Sequence, residues 1–123
     1  MSQLEVNALI AKEALSIDKA ATALKLMGDK TRLTMLRILA DHDCCVCEFV
    51  EIFDMSQPSV SQHVRKMKDI GMIKEQRRGQ WIVYSLNEAF ESYDMVRSVL
   101  HQLPVQDHHL EELIKKGKRI SCE

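Results

Sequence analysis

The sequence predicts one mainly α-helical domain with a small β-hairpin, and three observations support this fold class. A chain of 123 residues, 46% of them hydrophobic, has the size of one compact domain with a real core. Only four glycines and two prolines interrupt it, which favours long helices. Apolar residues recur with helical spacing through most of the chain, whereas residues 72–86 show the alternation typical of strands. We therefore treat residues 1–123 as a single domain.

Two helical segments are expected in the first third of the chain. Apolar residues at helical spacing predict a helical region over residues 1–27 that ends near Gly28. Asp29 is a suitable N-cap for a second helix over residues 30–40. The stripe of this helix that we expect to face the core, with Arg32 and Arg37 outside, consists of Leu33, Leu36 and either Leu39 or Ala40.

A short helix, a tight turn and a longer helix are expected over residues 44–71. The short helix runs from the cysteines to Phe53, because apolar residues stand at i, i+3, i+4 and i+7, namely Val46, Phe49, Val50 and Phe53. Asp54 and Met55 form the turn. Ser56 caps the longer helix, Pro58 is tolerated in its first turn, and Gly71 ends it. Its inward stripe is Val60, Val64 and Met67.

The last part of the chain combines the hairpin with further helices. Two strands with Gly79 between them form the hairpin over residues 72–86. Helical spacing returns over residues 88–103 until Pro104 interrupts it, and one face there carries Phe90, Tyr93, Val96 or Arg97, and Leu100. Residues 104–123 are expected to form a C-terminal tail with one short helix, over residues 107–116, and a basic end.

The order of short helix, turn, polar-faced helix and basic hairpin is that of a winged helix-turn-helix, whose second helix enters the major groove of DNA. Between positions 65 and 78 stand six basic residues and two acidic ones, although the net charge of −1 argues against indiscriminate binding to nucleic acid. Each polar face alone could equally be a solvated surface, but their combination favours duplex DNA. The predicted DNA contacts are Gln57, Ser59, Ser61, Gln62, His63, Arg65, Lys66, Arg77, Arg78 and Gln80.

Three of the four cysteines are clustered at Cys44, Cys45 and Cys47. The sequence has neither a signal-peptide pattern nor an apolar run long enough for a membrane span, so we expect the reducing cytoplasm, where clustered thiols act as ligands or reactive groups. Soft, thiophilic ions favour such sulfur donors. On a regular helix Cys44 and Cys47 share a face while Cys45 points away, so ion capture is expected to unwind or distort this turn.

Several alternatives stay open for this cluster. The cysteines could be small buried hydrophobes, as scattered cysteines commonly are. Zinc, cadmium or lead could be the ion, because the five acidic residues between positions 41 and 54 attract cations. The thiols could instead sense oxidants. An enzyme is not expected, because no oxyanion device and no α/β redox pattern accompanies Cys47 and His63.

Four segments, in this order, resemble the ArsR/SmtB family of metal-responsive repressors. They are residues 28–33 (GDKTRL) with 36–39 (LRIL), residues 45–48 (CVCE), residues 56–63 (SQPSVSQH) and residues 78–86 (RGQWIVYSL), spread over roughly half of the chain. The resemblance implies a homodimeric repressor that reads an inverted repeat in double-stranded operator DNA and leaves it when an inducer ion binds. Dimerisation through residues 1–27 and 88–103 also fits the apolar stripes of those segments.

The resemblance also indicates an inducer. Arsenic-sensing members have cysteines in a segment like Cys45-Val46-Cys47, which makes As(III) or Sb(III) the expected inducer and a metalloid-resistance operon the expected target, with Cd(II), Pb(II) or Zn(II) as alternatives. In one branch a third cysteine follows three residues after the second, but Val50 stands there in this sequence. Cys44 is then the expected third thiolate, and Cys122 is the second choice. The family's other common site needs a His two residues after Asp94, which this sequence lacks.

Overall fold

The computed structural model describes residues 2–6 and 15–120, so residues 7–14 of the first predicted helical region and Cys122 lie outside the described residues. Residues 3–6 are helical. The elements that follow are α1 (Ile17–Met27), α2 (Lys30–Leu39), β1 (Cys44–Cys45), α3 (Val46–Phe53), α4 (Gln57–Asp69), β2 (Ile73–Arg78), β3 (Trp81–Leu86), α5 (Tyr93–His101) and α6 (Asp107–Lys115). The fold is mainly helical with a small antiparallel sheet, which confirms the predicted winged helix-turn-helix.

Three predicted helix ends are confirmed, each by a local hydrogen bond or backbone angle. The Asp29 carboxylate accepts from the Arg32 N–H at 2.9 Å and caps α2. The Ser56 hydroxyl accepts from the Ser59 N–H at 3.3 Å and caps α4. Gly71 follows the end of α4 with φ of 87°, a left-handed conformation that glycine adopts without a Cβ clash. These short-range signals fix where the recognition segment begins and ends.

The predicted hairpin is the wing, and it belongs to a larger sheet. β2 and β3 pair antiparallel, with Arg78 opposite Trp81 and a two-residue loop between them. Gly79 takes the first loop position at φ of 62°, as tight hairpin turns require. In the sheet the strand order is β1-β3-β2, so β3 lies between the second wing strand and a strand that we did not predict.

The prediction that a helix begins at the cysteines is wrong. Cys44 and Cys45 form strand β1, with Cys44 opposite Tyr84 and Cys45 opposite Val83 on β3. Helix α3 begins only at Val46, and Cys45 is its N-cap residue with extended backbone angles of φ −97° and ψ 167°. Pairing with the open edge of β3 gives these two residues sheet hydrogen bonds that local helical periodicity does not reveal.

One hydrophobic core holds the recognition helix in place. The predicted inward stripe of α4 is confirmed, because Val60, Val64 and Met67 are at most 2% exposed. Among the side chains that share this core are Met35, Leu36, Ile38, Phe49, Met72, Ile73, Val96 and Leu100. Burial of one large apolar side chain contributes about 1.5–3 kcal/mol. The inner face of α4 is therefore anchored while its outer face stays in solvent.

Arg37 is buried and does not lie outside α2 as predicted. Its side chain belongs to a residue that is only 8% exposed. The Nε group donates to the Leu103 carbonyl at 3.1 Å, and Nη1 donates to Asp41 Oδ2 at 2.8 Å. These acceptors compensate a guanidinium that would otherwise be unfavourable to bury. Arg37 thereby ties α2 to the segment between α5 and α6.

The two last helices differ slightly from the predicted ranges. α5 spans Tyr93–His101, so it begins after Phe90 and stops before Pro104. α6 spans Asp107–Lys115 and buries Leu110 and Leu113. It packs against α3, where the Phe53 and His109 rings are 6.3 Å apart. None of the helices in the described ranges is long and apolar enough to cross a membrane.

Candidate DNA-binding surface and thiol site

The turn between α3 and α4 sets the angle of the recognition helix. Asp54 adopts a left-handed conformation with φ of 50°, which short polar side chains tolerate better than others. Ser56 then caps α4, and Pro58 stands in its first turn. With one face of α4 buried, four of the predicted DNA contacts are exposed: Gln57, Gln62, Arg65 and Lys66. These side chains can reach base edges and phosphates together.

Three other predicted contacts on α4 are half-buried, and two of them already have partners within the chain. Ser59 Oγ accepts from Ser56 Oγ at 2.9 Å, so it belongs to the helix cap. His63 Nδ1 lies 3.1 Å from Arg32 Nη1 and 3.9 Å from Asp29 Oδ2. Ser61 lies in a cleft between α4 and the sheet. His63 therefore connects α4 to α2, and Arg32, which we expected outside, is half-buried there.

The two arginines of the wing have different environments. Arg77 is exposed at the wing tip, and its Nε donates to the Gly79 carbonyl at 3.3 Å. Arg78 Nη2 instead donates to Asp43 Oδ2 at 3.0 Å, one residue before β1. Gln80 in the loop is exposed. Arg77 and Gln80 are free to face DNA, whereas Arg78 also fastens the wing to the start of the cysteine segment.

A second contact fastens the recognition helix to the wing. Lys68 Nζ of α4 lies 2.8 Å from Glu75 Oε1 of β2, and the Tyr84 hydroxyl donates to the other Glu75 oxygen at 3.2 Å. The hydrogen bond from Lys68 holds the pKa of Glu75 below its usual value. Burial, together with the Glu75 charge, raises the pKa of Tyr84. Tyr84 is thus a neutral donor at neutral pH, and α4 and the wing are linked through it.

Cys45 and Cys47 are brought together by the strand-to-helix transition. Their sulfur atoms are in bonding contact as a disulfide. This corrects the expectation that they point to opposite sides, which assumed that both residues were helical. Because Cys45 is extended and Cys47 lies in the first turn of α3, no unwinding is needed for the two sulfurs to meet. Cys45 is 3% exposed, whereas Cys47 is exposed to solvent.

Cys44 lies elsewhere. Successive side chains on a strand point to opposite faces, and Cys44 is fully buried as a member of the hydrophobic core. Within residues 2–6 and 15–120, no three His, Cys, Asp or Glu side chains are grouped to hold a metal ion. The predicted trio of Cys44, Cys45 and Cys47 is thus observed as a pair plus a core residue.

A cleft connects the thiol pair to both DNA-binding elements. It has a volume of about 370 Å³, and its walls include Cys45 and Cys47, Gln57 of α4, and Trp81 and Tyr84 of β3. Gln57 is a predicted DNA contact, and β3 is the inner strand of the wing. A change in the spacing of the two sulfurs therefore acts directly on the recognition helix and on the wing.

The acidic stretch around the cysteines is neutralised by basic partners. Each of four carboxylates has an ion pair, namely Asp41 with Arg37, Asp43 with Arg78, Glu48 with Arg119 and Glu51 with Lys118. Two of these partners come from residues after α6, which sequence reasoning treated only as a basic tail. The sequence separation of 71 residues between Glu48 and Arg119 hides this pairing from any local pattern.

Glu48 is the best-coordinated carboxylate of the site. Its side chain is completely buried, and Oε1 accepts from the Cys45 N–H at 3.0 Å. Oε2 accepts from Arg119 Nη1 and, at 3.2 Å, from the Ile120 N–H. A signal for the first contact was present in the sequence, since Glu48 stands three residues after the N-cap as in a capping box. Glu48 thereby joins the thiol segment to the C-terminal part of the chain.

An exposed polar recognition helix beside a basic wing defines a DNA-binding transcriptional regulator. Comparison with known sequences agrees, because residues 29–75 match the model described as bacterial regulatory protein, arsR family. The chain is also 32% identical over 79 residues to the arsenical resistance operon repressor of Staphylococcus xylosus, covering 64% of this chain and 76% of that one. The chain therefore belongs to the arsR family. It is a DNA-binding transcriptional repressor and not an enzyme.

Other relatives and a solved structure extend this result. Identity is 34% over 64 residues with the arsenic resistance transcriptional regulator ArsR1 of Pseudomonas putida, covering 51% of this chain and 50% of that relative. The match thus spans half of that relative's length. A CadC homolog of Staphylococcus aureus, named a cadmium resistance regulatory protein, is 29% identical, with 69% and 71% covered. The structure of reduced HlyU from Vibrio cholerae is similar at a TM-score of 0.62 and 27% identity, covering 86% of this chain and 100% of that one.

Proposed function

We propose that this protein represses a metalloid-resistance operon and is released from its operator when As(III) or Sb(III) binds Cys45 and Cys47. The observation that carries the proposal is the meeting of these two sulfurs beside the recognition helix and the wing. Sulfur donors suit thiophilic ions, and two relatives are named for arsenic or arsenical resistance. Each thiol that binds replaces one hydroxyl of arsenous acid, which leaves as water with the thiol proton.

The charge around the thiols supports a neutral inducer over a divalent cation. The carboxylates that would attract Cd(II), Pb(II) or Zn(II) are already paired, and Glu48 has its two oxygens occupied by three donors. Little negative charge is therefore left to favour a cation over arsenous acid, which is uncharged at neutral pH. A cadmium-resistance relative keeps the divalent ions as arms of the experiment.

We propose that α4 enters the major groove and that the wing contacts the adjacent backbone. The exposed side chains are the main contacts under this proposal: Gln57, Gln62, Arg65, Lys66, Arg77 and Gln80. Ser59, Ser61 and His63 serve more as positioning groups, and Arg78 reaches DNA only at the expense of its bond to Asp43. The bond between Arg78 and Asp43 gives the thiol segment a direct influence on the wing.

Release then follows from the geometry of the sheet. Two sulfurs bonded to one common ion lie farther apart than two sulfurs bonded to each other or in contact. Because Cys45 is paired with Val83 on β3, a displacement of Cys45 moves the wing relative to α4. The bistable element is thus the β1 segment, in place of the helix unwinding that we expected from the sequence.

A homodimer reading an inverted repeat is part of the proposal. Ile17 and Leu24 of α1 are 86% and 48% exposed, and at seven residues apart they share one helix face. A two-fold dimer would cover this face and place two copies of α4 one helical turn apart on DNA. Sedimentation of the wild type and of Ile17→Glu with Leu24→Glu tests it, and a monomeric wild type would contradict it. We place this repressor in the cytoplasm.

The decisive experiment measures release of operator DNA against arsenite, antimonite, cadmium, lead and zinc. Under reducing conditions we expect arsenite and antimonite to release the wild type at the lowest concentrations. Cys45→Ser and Cys47→Ser should abolish that response while DNA binding without inducer is kept. Cys44→Ala serves as the matched control and should respond normally. An undiminished arsenite response in the Cys45→Ser, Cys47→Ser double variant would overturn the proposal.

A second function is favoured by the same sulfur contact. Cys45 and Cys47 in disulfide contact could sense oxidants, with peroxide taking two electrons from the two thiols to give one disulfide and two waters. The discriminating arm is peroxide added to the DNA complex without arsenite. Release by peroxide that a thiol reductant reverses, together with no release by arsenite, would replace the ion-sensing proposal with a redox-sensing one.

A further inference from the structure

The residues that follow α6 return to the thiol segment. Lys118 Nζ lies 2.9 Å from Glu51 Oε1, and Arg119 Nη1 binds Glu48 Oε2 and, at 3.1 Å, the Asp43 carbonyl. The Ile120 N–H then donates to the same Glu48 oxygen. We call residues 118–120 the C-terminal strap. It is bound to α3 by both charged side chains and backbone.

The strap ends close to the thiol pair. The Ile120 nitrogen and the Cys45 nitrogen bond to the two oxygens of one carboxylate, at 3.2 and 3.0 Å. They are therefore within about 8 Å of each other. Cys122 follows Ile120 by two residues, which span up to about 7 Å when extended. The backbone thus allows the Cys122 sulfur to reach Cys45 and Cys47.

We propose that Cys122 supplies the third thiolate of the inducer site, a hypothesis that rests on the proposed function. As(III) forms three bonds, and the thiol pair provides two sulfurs. Of the four cysteines in the chain, Cys44 is fully buried in the hydrophobic core, on the strand face opposite to Cys45. Cys122 is the remaining thiol, and the strap holds its attachment point next to the site.

Delivery by the strap has an energetic consequence. Once Cys45 and Cys47 have bound the ion, the third bond closes within one chain, so its formation is governed by an effective concentration set by the tether. Loss of the Cys122 thiol should then weaken arsenite binding by at least about tenfold. Release of the strap by Arg119→Ala should weaken it as well, because the tether lengthens. The exposed Lys116→Ala, at the end of α6, is the matched control.

The test is X-ray absorption at the arsenic edge on full-length protein loaded with arsenite, together with operator release. We expect three sulfur neighbours in the wild type, Cys44→Ala and Lys116→Ala, and two in Cys122→Ser. We also expect the release midpoint of Cys122→Ser to rise by tenfold or more. A wild type with two sulfur neighbours, or a Cys122→Ser variant that keeps three, overturns the inference. An unchanged midpoint in that variant also overturns it.

These outcomes separate the two proposals. If Cys45→Ser and Cys47→Ser abolish the arsenite response while Cys122→Ser behaves as the wild type, the third ligand is refuted and the proposed function stands. If the response survives in the Cys45→Ser, Cys47→Ser double variant, the proposed function fails and the inference fails with it. Far-ultraviolet circular dichroism of each variant shows that the fold is retained.

Discussion

Removal of the Arg119 guanidinium should destabilise the protein more than removal of any other strap side chain. Glu48 is completely buried, and the side chain of Arg119 is 24% exposed. Arg119→Ala leaves the Glu48 carboxylate buried with only the N–H groups of Cys45 and Ile120 as partners. A buried charge that loses its counter-ion is destabilising because solvent cannot replace the lost interaction.

The expected size follows from this geometry. Breaking a fully buried ion pair costs about 3–5 kcal/mol. Partial exposure of Arg119 and the two remaining N–H donors reduce this, so we expect the free energy of unfolding to fall by about 2–3 kcal/mol. For a domain of this size the corresponding drop in Tm is roughly 10 °C. Glu48→Gln removes the buried charge itself, so Arg119→Ala in that background should cost under about 1 kcal/mol.

Urea denaturation at a fixed protomer concentration measures these differences. Lys118→Ala is the matched control, because the Lys118–Glu51 pair is exposed and such pairs contribute about 0–1 kcal/mol. Equal losses in Arg119→Ala and Lys118→Ala would refute the claim that the strap is held through Glu48. So would an unchanged cost of Arg119→Ala in the Glu48→Gln background.

Three further predictions test the fold and the DNA surface. Asp29→Ala should lower stability by about 1 kcal/mol at pH 7 through loss of the α2 cap. Because the Arg32 N–H lowers the pKa of Asp29, that advantage exists above the unfolded pKa and disappears as pH falls through the folded one, so urea midpoints of the two proteins should converge in acid. Met67→Ala should lower the free energy of unfolding by about 2–5 kcal/mol, since Met67 is fully buried; a smaller loss would contradict its core position. Arg77→Ala should weaken operator binding and reduce the salt slope by about one while leaving Tm unchanged, and an unaltered slope would argue against the wing contact.

Local patterns predicted the fold because they reflect interactions between near neighbours. Ser56 caps α4, Gly71 ends it, and Val60, Val64 and Met67 face the core because hydrogen bonds and periodicity over three to seven residues determine these positions. The wing was predictable for the same reason, since alternation and Gly79 are signals within one short segment.

The cysteine segment could not be predicted in this way. Strand β1 has two residues, and its pairing with β3 joins Cys44 to Tyr84, forty positions apart. Helical spacing alone therefore misplaced Cys45, which in fact meets Cys47 because the backbone is extended there. The C-terminal strap was hidden for the same reason, since nothing near Arg119 indicates that Glu48 is its partner.

The position of the thiol pair constrains how sensing and DNA binding interact. Cys45 is paired with the inner wing strand at Val83, and Asp43, two residues earlier, holds Arg78 of the wing. Ion binding and DNA binding therefore make different demands on one three-stranded sheet. By linkage, operator DNA must weaken ion binding by the same factor by which the ion weakens DNA binding. The sheet can act as a switch only if each ligand favours a different position of the wing, because a ligand with equal affinity for both positions shifts neither.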